Sequence, residues 1–209
     1  MSQNAPKPFV VELFGLPGSG KSHVANLLTA YAEIDHIPQM VSRLDMLRGV
    51  VRSPGCALRW LRFLAIETVR GGEWGLARYR LSLIAHMFGR FARARASRHG
   101  VVLLDEGFMQ RVLSVSARRL SSQRVLTLMR GLWPDYVLVV EAQGPRFHRY
   151  GPEHIRSQAS PDGTWKMIMK ENYEVVQAAM VSAGVPYTVV GQDTAPGALI
   201  TKLRDMIAV

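Results

Sequence analysis

The sequence predicts an α/β fold, a parallel sheet with helices on both faces. Three observations carry that expectation. Short aliphatic runs alternate with helix-length segments along the 209 residues, the pattern left by repeated strand–helix–strand crossovers. Val101-Val102-Leu103-Leu104 is aliphatic without alternation, as a strand buried on both faces must be. Phe9–Phe14 (FVVELF) leads directly into a glycine-rich turn and then a helical segment.

The elements follow in chain order. Phe9–Phe14 is the first strand, and the helix beyond the turn spans 22–31. Residues 37–41 (IPQMV) are short, apolar and placed after the turn-like Asp35-His36, so they read as strand two. Ser42 is placed to cap the next helix. From Arg43 to His99 the periodicity is helical, and Ser53-Pro54-Gly55 and Gly71-Gly72 divide the stretch into three helices. Two apolar stripes are expected to pack inward there. One is Trp60, Leu61, Leu64, Ala65, Thr68 and Val69; the other is Trp74, Leu81, Ile84, Ala85, Phe88 and Phe91.

Gly100 stops the third of these helices, and residues 101–104 form strand three. Helices are expected over 109–119 and 121–130, with Gly131 as terminator. Residues 136–141 (YVLVVE) are strand four, followed by a polar, arginine-bearing connection. A helix over 164–183 ends at Gly184, and 185–190 (VPYTVV) is strand five. The last helix, 196–207, has Asp193 or Thr194 as cap and a proline in its first turn. The chain thus reads as one domain, 1–209, with an arginine-rich helical insertion at 43–99 and a lid-like segment at 142–163.

Composition narrows the class. No run reaches the roughly 18 apolar residues of a membrane span, and the N-terminus is polar rather than signal-like. Cys56 is the single cysteine, which excludes an internal disulfide and a cysteine-based zinc site. A cytoplasmic protein, peripheral to the membrane at most, is expected. The net charge of +10 is concentrated: residues 43–99 hold twelve arginines and no lysine against Asp45, Glu67 and Glu73, a local charge of +9.

The chemistry-bearing stretch is Gly15-Leu16-Pro17-Gly18-Ser19-Gly20-Lys21-Ser22, which matches G-x-x-x-x-G-K-[ST] in the strand-to-helix setting that the motif needs. Gly15, Gly18 and Gly20 let successive N–H groups turn inward, and the following helix directs its positive end at the same point. Lys21 then reaches the β- and γ-phosphates of a nucleoside triphosphate, and the Ser22 hydroxyl is placed to ligate Mg²⁺. Asp105, ending the buried strand, is placed to hold the same metal directly or through a water, because Mg²⁺ takes oxygen ligands and keeps most of its waters. Glu106 follows it as a carboxylate able to polarise water, orient an acceptor hydroxyl or receive an arginine. A second constellation, Arg146, Arg149 and Arg156 with His148 and His154, lies in the lid-like segment, where arginines can close over a transferred phosphoryl group.

With these residues in place the chain resembles the P-loop nucleoside and nucleotide kinase superfamily, of which adenylate and thymidylate kinases are members. GLPGSGKS, VVLLDEG, YVLVVEA, the lid-like stretch and PYTVVGQD carry the resemblance. It implies strand order 2-3-1-4-5, ATP as phosphoryl donor, Ser22 and Asp105 on Mg²⁺, Arg149 or Arg156 on the transferred group, Gln192-Asp193 near the adenine, and an acceptor pocket formed by the segment between strands two and three. Thymidylate kinases have Asp-Arg where this chain has Asp105-Glu106, and deoxynucleoside kinases have a glutamate where this one has Ser42-Arg43. No thymidine or deoxynucleoside pocket is therefore assigned.

No Asn-Lys-x-Asp segment for guanine and no Leu-Ser-Gly-Gly-Gln signature is present. The expectation is an ATP- and Mg²⁺-dependent small-molecule kinase with an unidentified acceptor, for which a phosphorylated molecule is one candidate. The rival is a P-loop ATPase whose nucleotide state controls binding of an anionic partner. For the arginine-rich insertion three partners fit: a phosphorylated acceptor, an anionic membrane surface, or nucleic acid, the last without a recognised nucleic-acid module. Trp60, Phe63, Trp74 and Phe88 are expected to supply the apolar face that would accompany the charge on a membrane.

Overall fold

The computed structural model describes residues 7–31, 34–37, 40–72, 74–141, 163–191, 194 and 196–207. Five parallel strands, β1 (Phe9–Phe14), β2 (Asp35–His36), β3 (Val101–Leu104), β4 (Tyr136–Val140) and β5 (Tyr187–Val190), form one sheet in the order β2-β3-β1-β4-β5. The register sets Phe9 beside Val101 and Val11 beside Tyr136. Among the described residues there are eight α-helices: α1 (Lys21–Tyr31), α2 (Arg43–Arg52), α3 (Pro54–Gly71), α4 (Ala77–Arg95), α5 (Phe108–Val115), α6 (Ser122–Met129), α7 (Thr164–Ser182) and α8 (Pro196–Ile207).

Strand residues alternate between the two faces. Val11, Leu13, Leu103, Leu138 and Val140 pack against Ala25 and Leu28 of α1 and Leu199 and Leu203 of α8. Phe14, Val137 and Val139 turn the other way, into a larger core with Trp60, Phe88, Phe108, Val125 and Met180. The layered α/β reading and the strand order both hold.

The loop between α5 and α6 is fixed by two buried polar side chains. Glu67 of α3 accepts from the Ala117 N–H and Arg118 Nε, both at 3.0 Å, with Arg124 at 3.3 Å. Asn172 of α7 accepts from the Leu120 N–H at 2.8 Å and donates to the Arg118 carbonyl at 2.9 Å.

Between β2 and β3 the chain forms the three expected helices, with Ser42 Oγ capping α2 through the Asp45 N–H at 3.1 Å. Gly72 leaves α3 in the left-handed conformation, φ 66°. Helices α2 and α4 cross backbone to backbone: a Cβ on Gly49 would lie 2.1 Å from the Phe88 carbonyl oxygen, and one on Gly89 would lie 2.9 Å from the Met46 nitrogen.

Four expectations are corrected. Strand two is Asp35–His36 rather than 37–41; Ile37 still donates its N–H to the Leu103 carbonyl at 3.2 Å, but its own carbonyl is taken by Arg90 Nη2 at 3.0 Å, and residues 38 and 39 lie outside the described residues. Trp60, Leu64 and Thr68 are buried as expected, whereas Leu61, Ala65 and Val69 on the neighbouring row face solvent, as do Trp74 and Leu81. Trp60, Phe63 and Phe88 are core residues and supply no outer apolar face. Helix α4 ends at Arg95, ahead of Gly100, and α5 stops at Val115 rather than 119.

Candidate functional site

The site is built where β1 ends. Ser19 donates its N–H to the Leu16 carbonyl at 3.1 Å, closing a turn that includes Pro17, and Val24 donates to the Gly20 carbonyl at 3.0 Å as α1 begins. Gly18 and Gly20 have φ of 82° and 97°, a region that costs other residues energy. Gly15 is wedged against β4, since a Cβ there would lie 2.5 Å from the Val140 carbonyl oxygen. The loop is a tight collar with backbone at its rim.

Lys21 is buried beneath this collar, its Nζ donating to the Gly15 carbonyl at 2.8 Å and the Leu16 carbonyl at 3.0 Å. Burial lowers its pKa to about 8; Glu106 and Asp105 pull the other way, and Arg111 adds to the lowering. Ser19 Oγ is buried and has no hydrogen-bond partner among the described residues, a polar atom of the kind that a bound oxyanion satisfies. Ser22 is exposed in the first turn of α1. The donor set suits phosphate: glycine backbone, an orphaned hydroxyl, a buried ammonium and a helix start.

Asp105 ends β3 as expected and is buried. Its Oδ1 receives Arg90 Nη2 and the Glu106 N–H, the latter at 2.9 Å, with His36 Nε2 at 3.9 Å. Arg90, buried in α4, also donates to the Glu106 carbonyl at 2.6 Å and to the Ile37 carbonyl at 3.0 Å. One guanidinium therefore joins the ends of β2 and β3 to the arginine-rich helices. Glu106 is partly exposed and pairs with Arg111 of α5 at 2.5 Å. Among the described residues no group of three or more His, Cys, Asp or Glu could hold a metal. Ser22 and Asp105, the two oxygens expected on Mg²⁺, would need phosphate and water to supply the remaining ligands.

On the other side of α1 lies a cavity of about 430 Å³, lined among others by Gly20, His23, Val24, Glu141, Gly191 and Thr194. It opens beside the phosphate loop, between α1 and the ends of β4 and β5. Gln192 and Asp193, expected near a base, lie outside the described residues, as do Arg146, Arg149 and Arg156.

The structure thus joins Lys21, Asp105 and Glu106 into one electrostatic group. Sequence reasoning missed Arg90, Arg111 and Glu12. Arg90 stands in the apolar stretch Phe88–Phe91, and Glu12 is a lone carboxylate inside FVVELF; a charge within an apolar run is the signal that marks such residues. Glu12 is fully enclosed, and desolvation lifts its pKa to about 7 against backbone hydrogen bonds from Gln110, Met109 and Gly107. No protein-family model matches the chain, and a search of curated proteins gives no match either.

Proposed function

We propose that the chain is a P-loop NTPase-type phosphotransferase that moves a phosphoryl group from ATP to a small-molecule acceptor with Mg²⁺. The observation that supports this most is the buried Lys21 ammonium, 2.8 Å from the Gly15 carbonyl, electrostatically coupled to Asp105 and Glu106. Its hydrogen bonds to the Gly15 and Leu16 carbonyls keep the ammonium at the loop whose N–H groups would meet phosphate. Its charge is placed for the β- and γ-phosphates, the loop N–H groups for the same oxygens, and Ser22 with Asp105 would hold Mg²⁺. Bound there, the metal would offset charge on the bridging phosphate oxygens. The cavity between α1 and β5 takes the nucleoside. The acceptor enters from the β3 side, where Glu106 and Arg111 meet.

Plain hydrolysis is the second reading, and it would need Glu106 to orient a water although its Oε2 is engaged by Arg111 at 2.5 Å. The test uses labelled ATP with panels of nucleosides, nucleotides, sugars and lipid-linked sugars. Label should pass to one class of acceptor, with slow hydrolysis in its absence, and Lys21→Ala and Asp105→Asn should each lower transfer at least about a hundredfold. Rapid ATP hydrolysis stimulated by polyanions, with no acceptor labelled, would replace this reading with that of a nucleotide-switched ATPase.

A further inference from the structure

Helices α2 and α3 carry apolar residues on their outer faces as well as their inner ones. On α2, Leu44, Leu47 and Val51 recur at helical spacing, yet they are 54, 60 and 67% exposed, while the inward face carries Gly49 against the backbone of α4. On α3, Leu58, Leu61 and Val69 continue the same arrangement at 68, 45 and 58%, and Trp74, 65% exposed, follows just beyond the helix. An amphipathic helix that keeps its aliphatic row in water has a face meant to be covered.

The side chains around these rows choose the cover. Arg43, Arg48, Arg52, Arg62 and Arg70 are exposed on α2 and α3 and Arg78 at the start of α4, with Asp35 and Asp45 beside Arg48 and Arg52. Arg80 and Arg90, by contrast, are buried and belong to the interior. We infer that the outer faces of α2 and α3 dock on an anionic lipid bilayer, the leucines and valines entering the headgroup–acyl boundary and the arginines meeting lipid phosphates. A second copy of the chain is the wrong occupant, because a two-fold contact would set these arginines against themselves. Nucleic acid would leave the aliphatic rows unused, and of the aromatic residues in this region only Trp74 stands out far enough to stack on a base.

The experiment is co-sedimentation of the full chain, without nucleotide, with phosphatidylcholine vesicles and with mixed phosphatidylserine–phosphatidylcholine vesicles over a salt series. Binding is expected only to the anionic vesicles, weakening at least about tenfold from low to high salt. Trp74 emission should shift to the blue on binding, and the shift should vanish in Trp74→Phe. The triple variant Leu47→Asn/Leu58→Asn/Leu61→Asn, which changes exposed positions and should melt within a few degrees of the parent, should lose about tenfold or more in affinity. Arg48→Gln/Arg62→Gln should lose affinity and flatten the salt dependence. No sedimentation with anionic vesicles at low salt would overturn the proposal. Binding untouched by the leucine changes, retention on DNA in preference to vesicles, or a dimer in solution that those changes dissolve would overturn it equally.

Discussion

Glu12 in the middle of β1 accepts the backbone N–H of Gln110 at 3.2 Å, 98 positions later in the chain. Helix α5 begins after Gly107, which has no side chain to cap it, and its first N–H groups turn instead to this carboxylate. Glycine is also what gives the carboxylate room, since a Cβ at position 107 would lie 2.0 Å from it. The long-range cap holds α5, and with it Arg111, to the strand that leads into the phosphate loop.

Burial of that carboxylate makes stability depend on pH in an unusual direction. Desolvation raises the Glu12 pKa from 4.5 to about 7 in the folded state. Between these values the folded chain holds a proton that the unfolded chain has released, so stability falls as pH rises through that window and levels off above it. The full span is on the order of 3 kcal/mol. Glu12→Gln keeps the acceptor without the titration. Melting temperatures taken from pH 5 to pH 8 should show the parent losing ground to Glu12→Gln; parallel curves would show that Glu12 does not titrate there.

A second pH effect belongs to Lys21. With its pKa lowered to about 8, the free protein loses the ammonium above that pH, whereas bound phosphate requires it. Affinity for a non-hydrolysable ATP analogue should therefore be level from pH 6.5 to 7.5 and fall by up to about tenfold per unit beyond pH 8. Lys21→Arg should remove the fall, and calorimetric titrations of both proteins would check it.

The crossing of α2 and α4 gives a stability test with an internal control. Gly49→Ala forces a methyl onto the Phe88 carbonyl, 2.1 Å away, and should cost about 3 kcal/mol or more. Gly55→Ala in α3 meets nothing within 4 Å and should stabilise by about 0.5–1 kcal/mol. Urea unfolding of the two variants should move midpoints in opposite directions.

What could be read from the sequence follows from what sequence patterns encode. Val101–Leu104 declares itself because a strand buried on both faces admits only apolar residues, and Gly15–Ser22 because each position answers a need of phosphate. Strand β2 was misplaced because the apolar run IPQMV outweighs Asp35-His36, and nothing within that run shows that the Ile37 carbonyl goes to Arg90. On α3, two adjacent rows, Trp60–Leu64–Thr68 and Leu61–Ala65–Val69, are both apolar; periodicity shows that rows exist and says nothing of which one meets the core. The sequence marks Arg90 and Glu12 as charges in apolar runs but hides their partners, Asp105 and Gln110, which lie 15 and 98 positions away.

The contact at Gly89 sets the distance between the outside of the molecule and its chemistry. Gly89 lies against the backbone of α2, and the next residue, Arg90, grips Asp105, Glu106 and Ile37. One peptide unit and the Arg90 side chain therefore link the helix that carries exposed leucines to the carboxylate that follows β3. The arginine-rich helices are the chassis of the site, and whatever seats against α2 bears on the same frame that aims Asp105.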